Sequence, residues 1–216
     1  MSDYRRAYQL GGCYFFTIVT HDRRPWLTQP DIYQRLRDAF HHVAAARPFR
    51  VDAIVVLPDH LHCIWRLPET DNDFSTRWRL IKHFISRGAN TAHSDRNEKL
   101  LWQRRFWEHQ IRDEHDWRRH MDYIFFNPVK HGYVARVRDW KFSSFENALG
   151  KGWYDLAWGS SAPDSIREMD LGEVFILMVD PLRLIHPTRV AYLVTPLALG
   201  MCMRPSIHAV LQATPS

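Results

Sequence analysis

The sequence predicts an α+β fold, one antiparallel sheet with helices packed against it. Three observations carry this. Three short runs, "CYFFTIVT", "FRVDAIVVL" and "HLHCIWRL", are dense in β-branched and aromatic residues and read as strands. Two segments with helical apolar spacing are interleaved with them. Pro58-Asp59 forms a tight turn between the second and third strands, which makes that pair an antiparallel hairpin. The chain has 216 residues, of which 45% are hydrophobic. That is enough for one domain with a real core plus an extension.

The first strand, Cys13 to Thr20, follows Gly11-Gly12, and "DRRPWLTQP" is a loop. Asp31 is placed to cap a helix running to about Ala46, with Ile32, Leu36, Ala39, Phe40 and Val43 on one face and Pro48 beyond its end. After the hairpin, Phe74, Trp78, Ile81 and Ile85 define a second helix, which Gly88 and Asn90 stop. "TAHSDRNEKL" is a polar loop, and "LWQRRFWEHQIRD" favours extended structure. From Glu114 another helix begins, with Trp117, His120, Met121 and Ile124 on its buried side. Pro128 predicts that it ends or bends at Asn127. The order matches the ferredoxin-like βαββαβ plan, with helices on one face and an additional C-terminal helix. Composition changes after about Trp158, where "GSSAPDSIREMDLGE" reads as a linker and recurrent prolines follow. Residues 1–160 are therefore expected to form one domain, and 161–216 a linker with a peripheral, poorly ordered tail.

The chain carries 29 Lys+Arg against 24 Asp+Glu, a balance that favours a polyanionic partner such as nucleic acid. Three scattered cysteines, with no CxxC, argue against a disulfide framework or a structural zinc knot. The N-terminus lacks a signal-peptide core, and "VAYLVTPLALGMCM" is too short and proline-interrupted to span a bilayer. A cytoplasmic protein with no membrane partner is expected.

Two segments carry chemistry. In "LPDHLHCIW", His60 and His62 are two apart on a strand, so they share a face, where two imidazoles can bind one divalent ion. The bland reading is packing, since the chain has 13 histidines. A third ligand is sought among His83, His109, His115, His120, Asn127 and nearby acids. In "HMDYIFFNPVKHGYV", Tyr123 and Asn127 are four apart on a helix and hence neighbours. The bland reading there is a packing aromatic and a helix C-cap.

Together "LPDHLHCIW", "LWQRRFWEHQIRDEHDWRRHMDYIFFNPVKHGYV" and "DWKFSSFE" resemble the REP-associated tyrosine transposases, a branch of the single-tyrosine His-hydrophobic-His transposases. The resemblance runs from near Tyr4 to about Trp158. It implies a metal-dependent enzyme that cuts and rejoins single-stranded DNA beside hairpins called repetitive extragenic palindromes. It implies His60 and His62 as metal ligands, Asn127 as the third, Mg²⁺ or Mn²⁺ as the ion, and Tyr123 as the nucleophile that forms a 5′-phosphotyrosine. The proton acceptor for Tyr123 stays open among a water, a phosphate oxygen, Lys130 and His131.

Arg104, Arg105, Arg112, Arg118, Arg119 and Lys130, with Arg77 and Lys82 on the second helix, are expected to hold DNA. Trp102 is expected to stack on unpaired bases. Tyr133 reads as structural. The resemblance points to a monomer, with a homodimer that exchanges the tyrosine helix as the other arrangement. The competing function is a non-catalytic DNA-hairpin binding protein on the same fold; a zinc hydrolase built on the histidine pair is a third.

Overall fold

Strand β1 (Cys13–Val19) is buried along its whole length, so both faces of the sheet must be covered. The computed structural model, which describes residues 8–87 and 101–166, shows how. Successive strand side chains point to opposite faces. Tyr14, Phe16 and Ile18 join one apolar cluster with residues of helices α1 (Pro30–Ala46) and α2 (Phe74–Ser86). Cys13 and Phe15 join another with residues of helix α3 (Glu114–Lys130).

Strands β2 (Arg50–Val56), β3 (His60–Arg66) and β4 (Trp107–Gln110) complete a four-stranded sheet in the order β2-β3-β1-β4. All three pairings are antiparallel. This is the expected α+β architecture. β2 and β3 form the expected hairpin, closed by the Leu57 N–H donating to the His60 carbonyl at 2.8 Å.

Three local expectations change. Pro30, not Asp31, opens α1; its fixed φ and missing N–H suit a first helical position, and Asp31 lies in the first turn. Of the extended stretch around residues 101–112, only the last part pairs as β4, while Trp102 makes an isolated bridge to Thr20. As expected, α1 and α2 share one face of the sheet; α3, the additional helix, covers the other. Finally, α3 passes through Pro128 and continues to Lys130. It stops where Gly132, at φ 72°, turns the chain. The Gly132 and Tyr133 N–H groups donate to the Val129 and Pro128 carbonyls, both at 2.9 Å, which is a Schellman ending.

Every residue from His120 to Pro128 is buried. One face of α3 meets the sheet, and the following segment packs on it from outside. Val137, Tyr154, and Phe145 and Ala148 of helix α4 (Phe145–Gly150) share its apolar cluster. The Tyr154 hydroxyl donates to one Asp122 oxygen at 2.7 Å and the Ser165 hydroxyl to the other at 2.6 Å. Residues 161–166, grouped with the linker by composition, are thereby tied to α3. Gly88 and Asn90, the polar stretch 91–100 and the tail from 167 onward lie outside the described residues.

Candidate active site

Strand register places the histidine pair. His60 lies opposite Val19 and His62 opposite Thr17, on the face that α3 covers. Leu61 and Cys63 point the other way, into the cluster with α1 and α2. The two imidazoles lie side by side, ring centroids 4.9 Å apart. Both are buried.

Each is oriented through Nδ1. The Asp59 carboxylate sits 2.6 Å from His60 Nδ1. A carboxylate only accepts, so Nδ1–H donates and Nε2 is the nitrogen left for another partner. Burial works to raise the Asp59 carboxyl, but the hydrogen bond and electrostatic influence of His60, with the Arg23 guanidinium, outweigh it and hold it below its usual range. Thr17 Oγ1 lies 2.9 Å from His62 Nδ1. Burial first, then the electrostatic influence of neighbouring His60, His131 and Lys130, holds His62 well below the ordinary histidine range. It is therefore neutral at pH 7. Its Nε2 is buried and has no hydrogen-bond partner.

Helix α3 brings the remaining groups. The Tyr123 ring packs edge-on against His62 at 5.2 Å. Two turns further on, His131 sits 5.5 Å from His60. Asn127 lies midway between them in the helical repeat and is fully buried. Neither of its amide atoms has a partner. Asn127 is thus no C-cap; His131 takes that position. Buried polar atoms left unsatisfied cost about 1–3 kcal/mol each. An Asn amide and two imidazole Nε2 atoms, with a carboxylate behind one imidazole, are donors that fit a divalent cation. Lys130 Nζ lies over the Tyr123 ring at 5.2 Å.

His109, Asp116 and His120 gather separately, their candidate ligand atoms within 4.8 Å of one another. Phe15 stands between this trio and the pair, contacting His62 at 5.4 Å and His120 at 4.8 Å. His109 and His120 therefore do not complete the first site.

A REP-associated tyrosine transposase from Escherichia coli (strain K12) is 48% identical over 164 residues, covering 76% of this chain and 94% of the relative. The chain belongs to the REP-associated tyrosine transposases. The family model "Transposase IS200 like" matches residues 11–113. A solved structure of a REP-associated tyrosine transposase bound to a REP hairpin superposes with a TM-score of 0.66. It is 47% identical, with 76% of this chain and 94% of that one covered.

The cationic residues expected on the surface of this transposase divide by burial. Arg104, Arg105, Arg112, Arg118 and Lys130 are exposed. Arg118 also donates to the Trp153 carbonyl at 3.2 Å, and half-buried Arg119 to the Ser165 carbonyl at 3.1 Å. Lys82 is half-buried, donates to the Gln103 carbonyl at 3.0 Å and lies near the rings of Trp102 and Phe106. Trp102 itself packs edge-on against Trp26 at 4.9 Å. Arg77 is a correction. Its side chain is fully buried, donating to the Arg47, Pro48 and Asp73 carbonyls and the Asp71 carboxylate. It ties α2 to the end of α1 and cannot reach a phosphate.

Sequence reasoning missed Thr17 and Asp59. Asp59 precedes His60 directly, so adjacency was a usable signal. Thr17 needed the β1–β3 register. Among the described residues, no helix is long and apolar enough to cross a membrane.

Proposed function

We propose that this chain nicks single-stranded DNA beside REP-type hairpins and rejoins it through a 5′-phosphotyrosine at Tyr123. One observation carries the reading: within one chain, the Tyr123 ring packs against His62 of a side-by-side histidine pair. His60, His62 and Asn127 would hold Mg²⁺ or Mn²⁺, which neutralises charge developing on the scissile phosphate. The Tyr123 oxygen attacks phosphorus and loses its proton. The phosphorus–O3′ bond breaks, and the leaving oxygen takes a proton to become a free 3′-hydroxyl. Attack by a 3′-hydroxyl on the phosphotyrosine reverses the step, so bond energy is kept in the enzyme and no nucleotide is consumed. The Lys130 ammonium beside the phenol favours the negative charge that forms on its oxygen.

Arg104, Arg105, Arg112, Arg118 and Lys130 supply phosphate contacts. A site assembled from one chain supports action as a monomer. Tyr123→Phe is expected to keep hairpin binding and lose cleavage. His60→Ala combined with His62→Ala is expected to lose cleavage at every Mn²⁺ concentration tried. Cleavage that survives in the Tyr123 variant removes the nucleophile; hairpin binding by the parent without cleavage favours a binding protein on this fold.

A further inference from the structure

Tyr133 has no part in the chemistry above, yet it stands beside it. It is 44% exposed, unusual for an aromatic so near a buried site. The Gly132 turn that ends α3 sets its position. Its ring centroid lies 5.9 Å from that of His131, which contacts His60. The same ring stacks on Trp140 at 5.4 Å with the planes 26° apart. Trp140 is fixed in turn: its indole N–H donates to the Val56 carbonyl at 3.0 Å, and its ring meets Phe142 at 5.4 Å. A partly exposed aromatic, backed by Trp140, thus stands beside His131 and the histidine pair. Exposed Lys130, Arg138 and Lys141 flank it in sequence.

We infer that Tyr133, backed by Trp140, is a stacking platform for an unpaired nucleobase of the DNA strand that presents its phosphate to Tyr123. The inference rests on the function proposed above. Charge chooses the occupant: the exposed cations that neighbour Tyr133 in the chain suit a phosphate backbone, and its exposed ring suits the face of a base. A base inside a duplex has both faces covered by its neighbours. An unpaired base offers one.

The test is fluorescence anisotropy with a labelled DNA hairpin carrying single-stranded flanks. It is run in the Tyr123→Phe background, so that binding is read without cleavage. Adding Tyr133→Ala is expected to weaken binding about tenfold, within the range for one stacked base. Adding Tyr133→Phe or Tyr133→Trp is expected to restore it, because stacking needs the ring and not the hydroxyl. Single abasic substitutions along the flanks should reveal one position at which the Tyr133→Ala penalty disappears. Unchanged binding by Tyr133→Ala overturns the platform, as does an equal loss with Tyr133→Phe or a penalty that persists at every abasic position. Failure of the parent to form a covalent adduct, with the Tyr133 pattern intact, would remove the proposed chemistry and leave the platform standing. Absence of any hairpin binding removes both.

Discussion

Asp59 and Thr17 do quiet work behind the two imidazoles. Partners of this kind fix the tautomer and orientation of metal-binding histidines, and their loss typically weakens metal affinity about 10–100-fold. Asp59→Asn is therefore expected to raise the Mn²⁺ concentration for half-maximal cleavage by about that factor, while metal-free hairpin binding stays as it was; an unchanged Mn²⁺ requirement would contradict the role. His120 offers a separate test of burial. Burial pushes its pKa down to about 4, despite the bond to the Asp116 carbonyl. The folded state then binds fewer protons than the unfolded chain between about pH 6.5 and 4. Its contribution is complete above the unfolded value and is lost as pH falls through that window, by about 3 kcal/mol in all. Urea unfolding of the parent and His120→Gln, compared at pH 7.5 and 4.5, should show their stability difference narrowing or reversing at the acid end. At this scale the sequence was readable where parity or helical repeat sufficed, as for His60 with His62 and Tyr123 with Asn127. It was unreadable where a partner came from another strand, as for Thr17.

Helix α2 shows how an element can mislead. Its arginines look alike in sequence, yet Arg77 faces the core and Arg79 faces solvent. Three carbonyls and the Asp71 carboxylate consume the Arg77 guanidinium. Removing it leaves buried acceptors unsatisfied, so Arg77→Met is expected to cost about 2 kcal/mol or more in urea unfolding while the folded protein keeps its hairpin affinity. A drop in affinity without loss of stability would return Arg77 to the DNA surface. Helix α3 misled in the opposite direction. Pro128 removes a backbone donor and predicted an end or bend at Asn127, but burial of the whole turn and the Schellman ending outweigh that cost and the helix continues. Sequence periodicity reports what a helix prefers alone. It does not report that residues 137–166 will cover its outer side.

Across the whole molecule, the sheet separates two tasks. One face, with α1 and α2, builds an aromatic core; the other, with α3, carries the histidine pair and the tyrosine. The element order followed from the β-branched and aromatic runs, the helical spacings and the hairpin turn, which is why the fold was largely legible. The division of cations between surface and core was not, because it depends on packing. Each lost phosphate contact should reduce the slope of log affinity against log salt by about 0.7–0.9. Arg104→Ala and Arg105→Ala are expected to do so, and Arg77→Met is not. Equal slopes for all three would detach the exposed cations from DNA. The central claim is that Tyr123 and the histidine pair form one phosphodiester-exchanging site. The most direct measurement is tandem mass spectrometry of the protein after incubation with hairpin-bearing single-stranded DNA and Mn²⁺. The account predicts a nucleotide attached through phosphate to Tyr123, absent when His60 and His62 are both alanine. A nucleotide on another residue, or an adduct unaffected by loss of both histidines, would contradict it.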